Sequence, residues 1–103
     1  MEVFKRIKGT ATNKTRARVW LESAELALYG FPRGQRINIA FTDTEIIITV
    51  DPEGARKVAG RERNGRTICI LDICFPTAQR DAMFKGAAML SVYATPGELR
   101  ISV

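Results

Sequence analysis

The residues of this chain with the clearest capacity for chemistry are its arginines and lysines, which fall into two clusters. Residues 1–18 contain six basic residues against one acidic residue, and residues 51–66 contain five against three. Small and polar residues lie among them, such as Asn13 in the first cluster and Asn64 and Gly65 in the second. Basic side chains neutralise phosphates, polar side chains hydrogen-bond to them, and glycine lets the backbone approach closely. The pattern favours phosphate-contacting loops over a solvated charge run, and therefore a nucleic-acid partner.

Groups of residues typical of catalysis are missing from the sequence. Histidine, the commonest general base and metal ligand, is absent. There is no nucleophile-elbow motif, no phosphate-binding glycine motif and no pair of carboxylates in an obvious cleft-forming segment. Cys69 and Cys74 are five residues apart in one apolar run, so they project to opposite faces of a strand and are predicted to be small apolar side chains without a disulfide. We predict a binding protein that is not an enzyme and needs no metal, cofactor or small-molecule ligand.

The size and hydropathy of the chain limit its organisation. With 103 residues, of which 46% are hydrophobic, it can bury one modest core, so a single domain over residues 1–103 is predicted. No apolar run approaches the roughly 20 residues that span a bilayer, and the basic start lacks the apolar stretch of a secretory signal. The expected location is the cytoplasm, in association with the nucleoid and without membrane contact.

An internal repeat organises the predicted elements. The first copy consists of Phe31, Ile37, Ile39, Glu45, Ile46, Ile48 and Val50. The second copy consists of Phe84, Leu90, Val92, Glu98, Leu99, Ile101 and Val103. All seven pairs are separated by 53 residues, which indicates a duplicated supersecondary unit. We predict repeat units at about 14–50 and 66–103 that share one core and are joined by a basic linker at 51–65.

The first unit is predicted to consist of a strand, a short helix and a hairpin. Alternating apolar residues predict a strand at 16–21, and the helix begins after Ser23 and ends at Gly30. The hairpin strands are predicted at 37–41 and 46–50.

The second unit repeats this order of elements. An apolar, β-branched run predicts a strand at 67–75, and Pro76 and Thr77 start a helix that ends near Met83. The hairpin then turns at 94–97, where Pro96 and Gly97 supply the turn residues.

Four segments of the first unit form one pattern: the run Arg18-Val19-Trp20-Leu21, the pair Gly30-Phe31, and the hairpin segments Ile37-Asn38-Ile39-Ala40-Phe41 and Glu45-Ile46-Ile47-Ile48. This pattern resembles the AbrB/MazE/MraZ swapped-hairpin DNA-binding family. The resemblance covers about residues 14–50 and, more weakly, 66–103. It implies a mainly β fold with short helices, in which two strand-helix-hairpin units interlock into an AbrB-like β-barrel. One chain carries both units here, so the units can interlock within a monomer, while a homodimer would suit a palindromic operator.

The resemblance also implies which residues face double-stranded DNA. Basic residues at the start of the first strand and in the preceding loop correspond to Lys14, Arg16 and Arg18, with Lys8 and Asn13 as neighbours. Charge alone adds three residues ahead of the second unit: Arg61, Arg63 and Arg66. Leu71 stands at the position 53 residues after Arg18, so the second half is expected to be chiefly structural.

Two further side chains have alternative interpretations. Trp20 alternates with Val19 and Leu21, and packing in the interlocked core or at a dimer interface is favoured over stacking on a base. Asp72 lies inside an apolar run, where a hydrogen bond or ion pair with an arginine is favoured over catalysis.

The function predicted from these features is sequence-specific DNA binding by a transcriptional regulator. A repressor is favoured, of the autoregulatory kind that plasmids and phages carry. Two alternatives stay open: a SymE-like toxin that acts on RNA or other nucleic acid, and an antitoxin or assembly module.

Overall fold

The protein folds as a mainly β structure with two short helices, which confirms the predicted fold class at that level. The computed structural model describes residues 3–11 and 15–103. The strands of this described part are β1 (Val3–Ala11), β2 (Arg16–Ser23), β3 (Arg36–Phe41), β4 (Ile46–Val50), β5 (Arg56–Lys57), β6 (Ala59–Arg63), β7 (Arg66–Pro76), β8 (Met89–Thr95) and β9 (Glu98–Ser102). A 3₁₀ helix, Ala24–Tyr29, follows β2, and an α-helix, α1 (Thr77–Phe84), follows β7.

The nine strands form one sheet that nearly closes on itself as a barrel. Their order is β5-β3-β4-β9-β8-β1-β2-β7-β6, and every neighbouring pair is antiparallel. The two end strands, β5 and β6, are separated along the chain only by Val58, which is buried. One hydrophobic core therefore lies inside a continuous wall of strands.

The longest antiparallel pairing, between β2 and β7, is specified by alternating apolar residues. Ala17 lies opposite Phe75, and the next two inward pairs along the strands are Val19 with Ile73 and Leu21 with Leu71. All six side chains are buried. Directly opposite residues share a face of the sheet, so this register buries both apolar sets together.

The two helices begin and end close to the positions that the sequence predicts. The Ser23 hydroxyl accepts a hydrogen bond from the backbone N–H of Glu25 (3.1 Å), and Gly30 ends the 3₁₀ helix with a left-handed φ of 97°. The helix α1 ends at Phe84, one residue beyond the predicted end, and is followed by Lys85 in a left-handed conformation. Neither helix is long and apolar enough to cross a membrane, and the described residues contain no other candidate.

The two predicted hairpins have the same register. Ile39 lies opposite Ile48 in the β3–β4 hairpin, and Val92 lies opposite Ile101 in the β8–β9 hairpin, so both partners are displaced by 53 residues. The hairpins meet where β4 pairs with β9, and there Ile47 lies opposite Arg100. These two residues are themselves 53 apart, since 100 − 47 = 53.

Each hairpin pairs with strands that lie outside its own predicted repeat unit. Outside its own hairpin, β3 pairs with β5 and β4 pairs with β9. In the same way, β8 pairs with β1 and β9 pairs with β4. The sheet is therefore completed by pairings between segments that are distant along the chain.

Three strands were not predicted from the sequence. The basic segment near the start forms β1, and residues 51–65, expected as a linker, contain β5 and β6. These strands carry little apolar periodicity: β5 and β6 have no buried residue, and Ile7 is the one residue in the core among those of β1 whose burial is described. Pairing with β8, β2, β3 and β7 determines their conformation, which local sequence does not reveal.

The turn after β4 leads the chain back to β3 through a close backbone approach. The backbone N–H of Gly54 donates to the carbonyl of Asp51 (2.9 Å). A Cβ atom at Gly54 would lie 2.1 Å from the carbonyl oxygen of Ile37, a separation that no side chain could adopt. Glycine at this position allows β5 to pair with β3.

Because both halves of the chain contribute to one core, loss of core packing in either half is expected to destabilise the whole molecule. Phe31 and Phe84 are buried equivalents, 53 residues apart. Phe31→Ala and Phe84→Ala are each expected to reduce the free energy of unfolding by about 3–5 kcal/mol. Urea unfolding followed by Trp20 fluorescence and by far-UV circular dichroism should show one coincident transition for each variant. Leu28→Ala, at an 80% exposed position, is the control. Two separate transitions would contradict the shared core.

Candidate nucleic-acid interface

The outward face of β1, β2, β7 and β6 is rich in basic side chains. On β2, Ala17, Val19 and Leu21 point into the core, so the alternate residues Arg16, Arg18 and Trp20 project outward. These outward positions lie opposite Pro76, Cys74 and Asp72 of β7.

Strands β7 and β6 extend the same face. The buried residues Leu71 and Ile73 fix the orientation of β7, and by alternation Ile68 and Arg66 share the outward face with Asp72. The register then adds two residues of β6, because Arg61 lies opposite Ile68 and Arg63 lies opposite Arg66. The three arginines predicted from charge alone therefore stand on the same face as Arg16 and Arg18.

Strand β1 adds two basic residues next to β2. Ile7 is buried opposite Leu90 of β8, so Arg6 and Lys8 project outward. Lys8 was a predicted site residue, whereas Arg6 was missed because its segment was not recognised as a strand. Alternation along a predicted β1 would have placed Arg6 beside Lys8.

Six of the eight predicted contact residues thus share one face: Lys8, Arg16, Arg18, Arg61, Arg63 and Arg66. The other two, Asn13 and Lys14, lie outside the described residues.

The offset of 53 does not hold between β2 and β7. It would equate Arg18, which projects outward, with Leu71, which is buried. Corresponding residues of β2 and β7 must point to the same side of the sheet. The inward residues of both strands have odd numbers, so corresponding residues differ by an even number, and 53 is odd. Leu71 is therefore not the counterpart of Arg18, and its identity says nothing about whether the second half contributes to this surface.

Asp72 forms an ion pair with Arg18, as the sequence predicted. The guanidinium Nε donates to Oδ1 (2.7 Å) and Nη2 donates to Oδ2 (2.9 Å), a bidentate arrangement that fixes the plane of the group. Arg18 also lies over the Trp20 ring, 4.5 Å from its centroid. The hydrogen bond to Asp72 raises the pKa of the Arg18 guanidinium above its ordinary value, against a smaller effect of desolvation. Arg18 is therefore a fixed and permanently charged cation.

Trp20 does not pack in the core of this chain. Its exposed fraction is 38%, and it lies on the outward face between Arg18 and Glu22. Strand alternation requires this placement, because its neighbours Val19 and Leu21 occupy the inward positions. The predicted core packing is therefore wrong for the single chain.

A second carboxylate lies on the same face, on the side towards β6. The Arg61 Nη2 atom is 3.1 Å from Oε2 of Glu22, which makes an ion pair without an aligned hydrogen bond. Lys5 donates to the backbone carbonyl of Glu22 (2.7 Å). Glu22 and Asp72 thus place the negative charge of the face in its middle.

The hairpin formed by the ends of β6 and β7, here called the arm (residues 61–67), is exposed on both faces. Asn64 and Gly65 form its two-residue turn, with left-handed φ values of 52° and 75°. Arg63 and Arg66 flank this turn directly opposite each other, and neither forms an ion pair with a described residue. Two like charges at opposite positions destabilise a hairpin, and a bound anion would relieve their repulsion.

The two cysteines and the carboxylates are possible ligands for a metal ion. Cys69 is buried and Cys74 is exposed, on opposite faces of β7, and both are free thiols. Within residues 3–11 and 15–103, no group of three or more Cys, Asp or Glu side chains is placed to hold a metal ion.

Replacement of Asp72 is expected to change the surroundings of Trp20 with little effect on stability. The Arg18 and Asp72 side chains are 40% and 38% exposed, so solvent screens the ion pair and it contributes little to stability. Asp72→Asn should release Arg18 from its bidentate contact, shift the Trp20 emission, and leave the urea midpoint nearly unchanged. Glu62→Gln, on the opposite face of the arm, is the control and should leave the emission unaltered. A loss of several kcal/mol in Asp72→Asn would contradict the half-exposed placement.

Comparison of the chain with protein-family models, with curated proteins and with solved structures finds no match. The description of this surface rests on its own geometry. It is an outward sheet face with basic residues from four strands and with two carboxylates in its middle.

Proposed function

We propose that this protein is a DNA-binding transcriptional regulator that contacts duplex DNA through the outward face of β1, β2, β7 and β6. One observation carries the proposal: seven basic residues from four strands share one face with two carboxylates. The seven are Arg6, Lys8, Arg16, Arg18, Arg61, Arg63 and Arg66. Phosphate neutralisation by such a face releases counterions and provides affinity for a duplex.

The proposed fold type is a swapped-hairpin, AbrB-like barrel formed by a duplicated unit. Three registers support it. The β3–β4 and β8–β9 hairpins pair identically at an offset of 53, and β4 meets β9 at two residues that are also 53 apart. The exchange of hairpins between halves is the arrangement that the resemblance implies.

The proposed role is that of a repressor, without catalysis, metal or cofactor, acting on operator DNA in the cytoplasm, where it would associate with the nucleoid. An occupied operator excludes other proteins from the promoter, which needs no additional domain. Regulation of its own promoter, as in plasmid and phage repressors, is part of the same proposal.

A gel-shift titration against the DNA upstream of the protein's own gene tests this role. Competitors are an unrelated duplex and single-stranded RNA. Retention of the upstream fragment in excess unrelated duplex is the expected result. Equal competition by all three nucleic acids, or degradation of the RNA, would replace the repressor by a SymE-like activity on RNA.

Loss of basic residues from the face should reduce both affinity and its salt dependence. Arg16→Gln and Lys8→Gln are each expected to weaken binding to duplex DNA and to reduce the slope of log K against log salt by about 1. Fluorescence anisotropy over a salt series measures both quantities. Lys85→Gln removes an equal charge at the end of α1, which is not on this face, and should change neither. Equal effects of all three variants would show that net charge, and not this face, determines binding.

A further inference from the structure

The arm extends past the rest of the sheet as a ribbon of two strands. The pairing of β2 with β7 ends where Ser23 lies opposite Cys69, so residues 66–68 of β7 pair only with β6. Among the described strands, β6 is the last in the sheet order and has no neighbour on its other side. At about 3.3 Å per strand residue, the part of the ribbon beyond β2 is about 10 Å long. All residues of the arm are exposed.

The two faces of the arm differ in charge. Arg63 lies opposite Arg66 on the outward face, and Arg61 lies on the same face nearer to the rest of the sheet. Glu62 lies opposite Thr67 on the other face and is the only carboxylate of the arm. The outward face of the arm therefore presents cations alone.

Local contacts hold the arm in one conformation. The Thr67 hydroxyl donates to Oε1 of Glu62 across the two strands (2.6 Å). At the base of the arm, the buried Val58 donates its backbone N–H to the carbonyl of Gln35 (2.9 Å) and accepts from the N–H of Gly34 (2.8 Å). The turn of the arm has left-handed φ values at both positions, as a type I′ hairpin requires. A ribbon that is ordered in this way loses little conformational freedom when it binds a partner.

The two arginines next to the turn do not stabilise the hairpin. Like charges at directly opposite positions repel each other, and neither Arg63 nor Arg66 forms an ion pair with a described residue. Each guanidinium is a planar fork of donors that matches a pair of acceptors. A partner that supplies such pairs would satisfy both forks and relieve the repulsion.

The major groove of B-form DNA fits this ribbon in size and in chemistry. The groove is about 12 Å wide and about 8.5 Å deep and admits a two-stranded β-ribbon, whose strands lie about 4.8 Å apart. Guanine presents two acceptors in this groove, O6 and N7, which match the donor fork of arginine.

We propose that the arm enters the major groove with its outward face towards the bases, and that Arg63 and Arg66 read guanine. The basic residues of β1 and β2 then contact phosphates beside the groove. The inference rests on the proposed function and adds to it the residues that select the DNA sequence.

The double variant Arg63→Gln/Arg66→Gln tests the role of the arm. Both residues are exposed, so their replacement removes repulsion and leaves no buried group without a partner. The thermal unfolding midpoint is therefore expected to equal that of the natural chain. Lys57→Gln/Lys85→Gln removes the same charge from exposed positions outside the arm and is the matched control.

The experiment measures binding to two copies of the DNA upstream of the protein's own gene. One copy contains guanine, and the other contains 7-deazaguanine, which lacks the N7 acceptor and leaves every phosphate in place. The natural chain and the control should bind the guanine copy about tenfold more tightly or better. The arm variant should bind both copies within about twofold of each other. Its slope of log K against log salt should stay within about 0.5 of the natural value, because contacts to bases release few counterions.

The outcomes separate this inference from the proposed function. Equal binding of both copies by the natural chain would overturn base reading, while duplex binding itself stands. An undiminished preference for the guanine copy in the arm variant would overturn the assignment to Arg63 and Arg66. A slope reduced by about 2 in that variant would place both arginines on phosphates and would also overturn the inference. Failure of the natural chain to bind the guanine copy would overturn the proposed function together with this inference.

Discussion

The pairing of β2 with β7 is the constraint on which both the core and the candidate interface depend. Its register sets Val19 against Ile73 and Leu21 against Leu71 on the inside. The same register sets Arg18 and Trp20 beside Asp72 on the outside. A slip of one residue would exchange the two faces and bury the cations, at a cost that no core could tolerate. Burial of the apolar side chains thus decides to which side of the sheet the charged side chains point, and no contact between charges is required for this.

Pairing between strands that are distant along the chain makes this small molecule cohesive. A β-hairpin alone is marginally stable in water, and each of the predicted hairpins is flanked by strands from outside its own repeat unit. The pairings β1 with β8 and β3 with β5 therefore connect residues that are distant along the chain. Such a topology supplies stability through non-local contacts, and it accounts for strands whose own sequences carry little β pattern.

The outward face carries both cations and carboxylates, and the carboxylates restrict the directions of two of the cations. Asp72 and Glu22 each hold an arginine, so part of the positive charge is fixed in direction, whereas Arg63 and Arg66 face one another on the arm without a described ion-pair partner. A uniformly basic face would attract any phosphate array. The carboxylates lower the net charge of this face and hold two of its arginines in place.

The sequence by itself determined the elements with strong local signals. The repeat at an offset of 53, the apolar alternation of β2 and β7, the cap at Ser23 and the glycine at Gly30 were sufficient to predict both helices, both hairpins and the ion pair of Asp72 with an arginine. Only the tertiary structure decided the rest. It placed β1, β5 and β6 in the sheet, because their partners and not their own residues impose an extended conformation. It also brought Arg6 to the same face as those predicted cations that the structure describes, and it placed Trp20 on the outside. The side of the sheet to which a residue points depends on the strand register. That register is fixed when distant strands bury their apolar sides together.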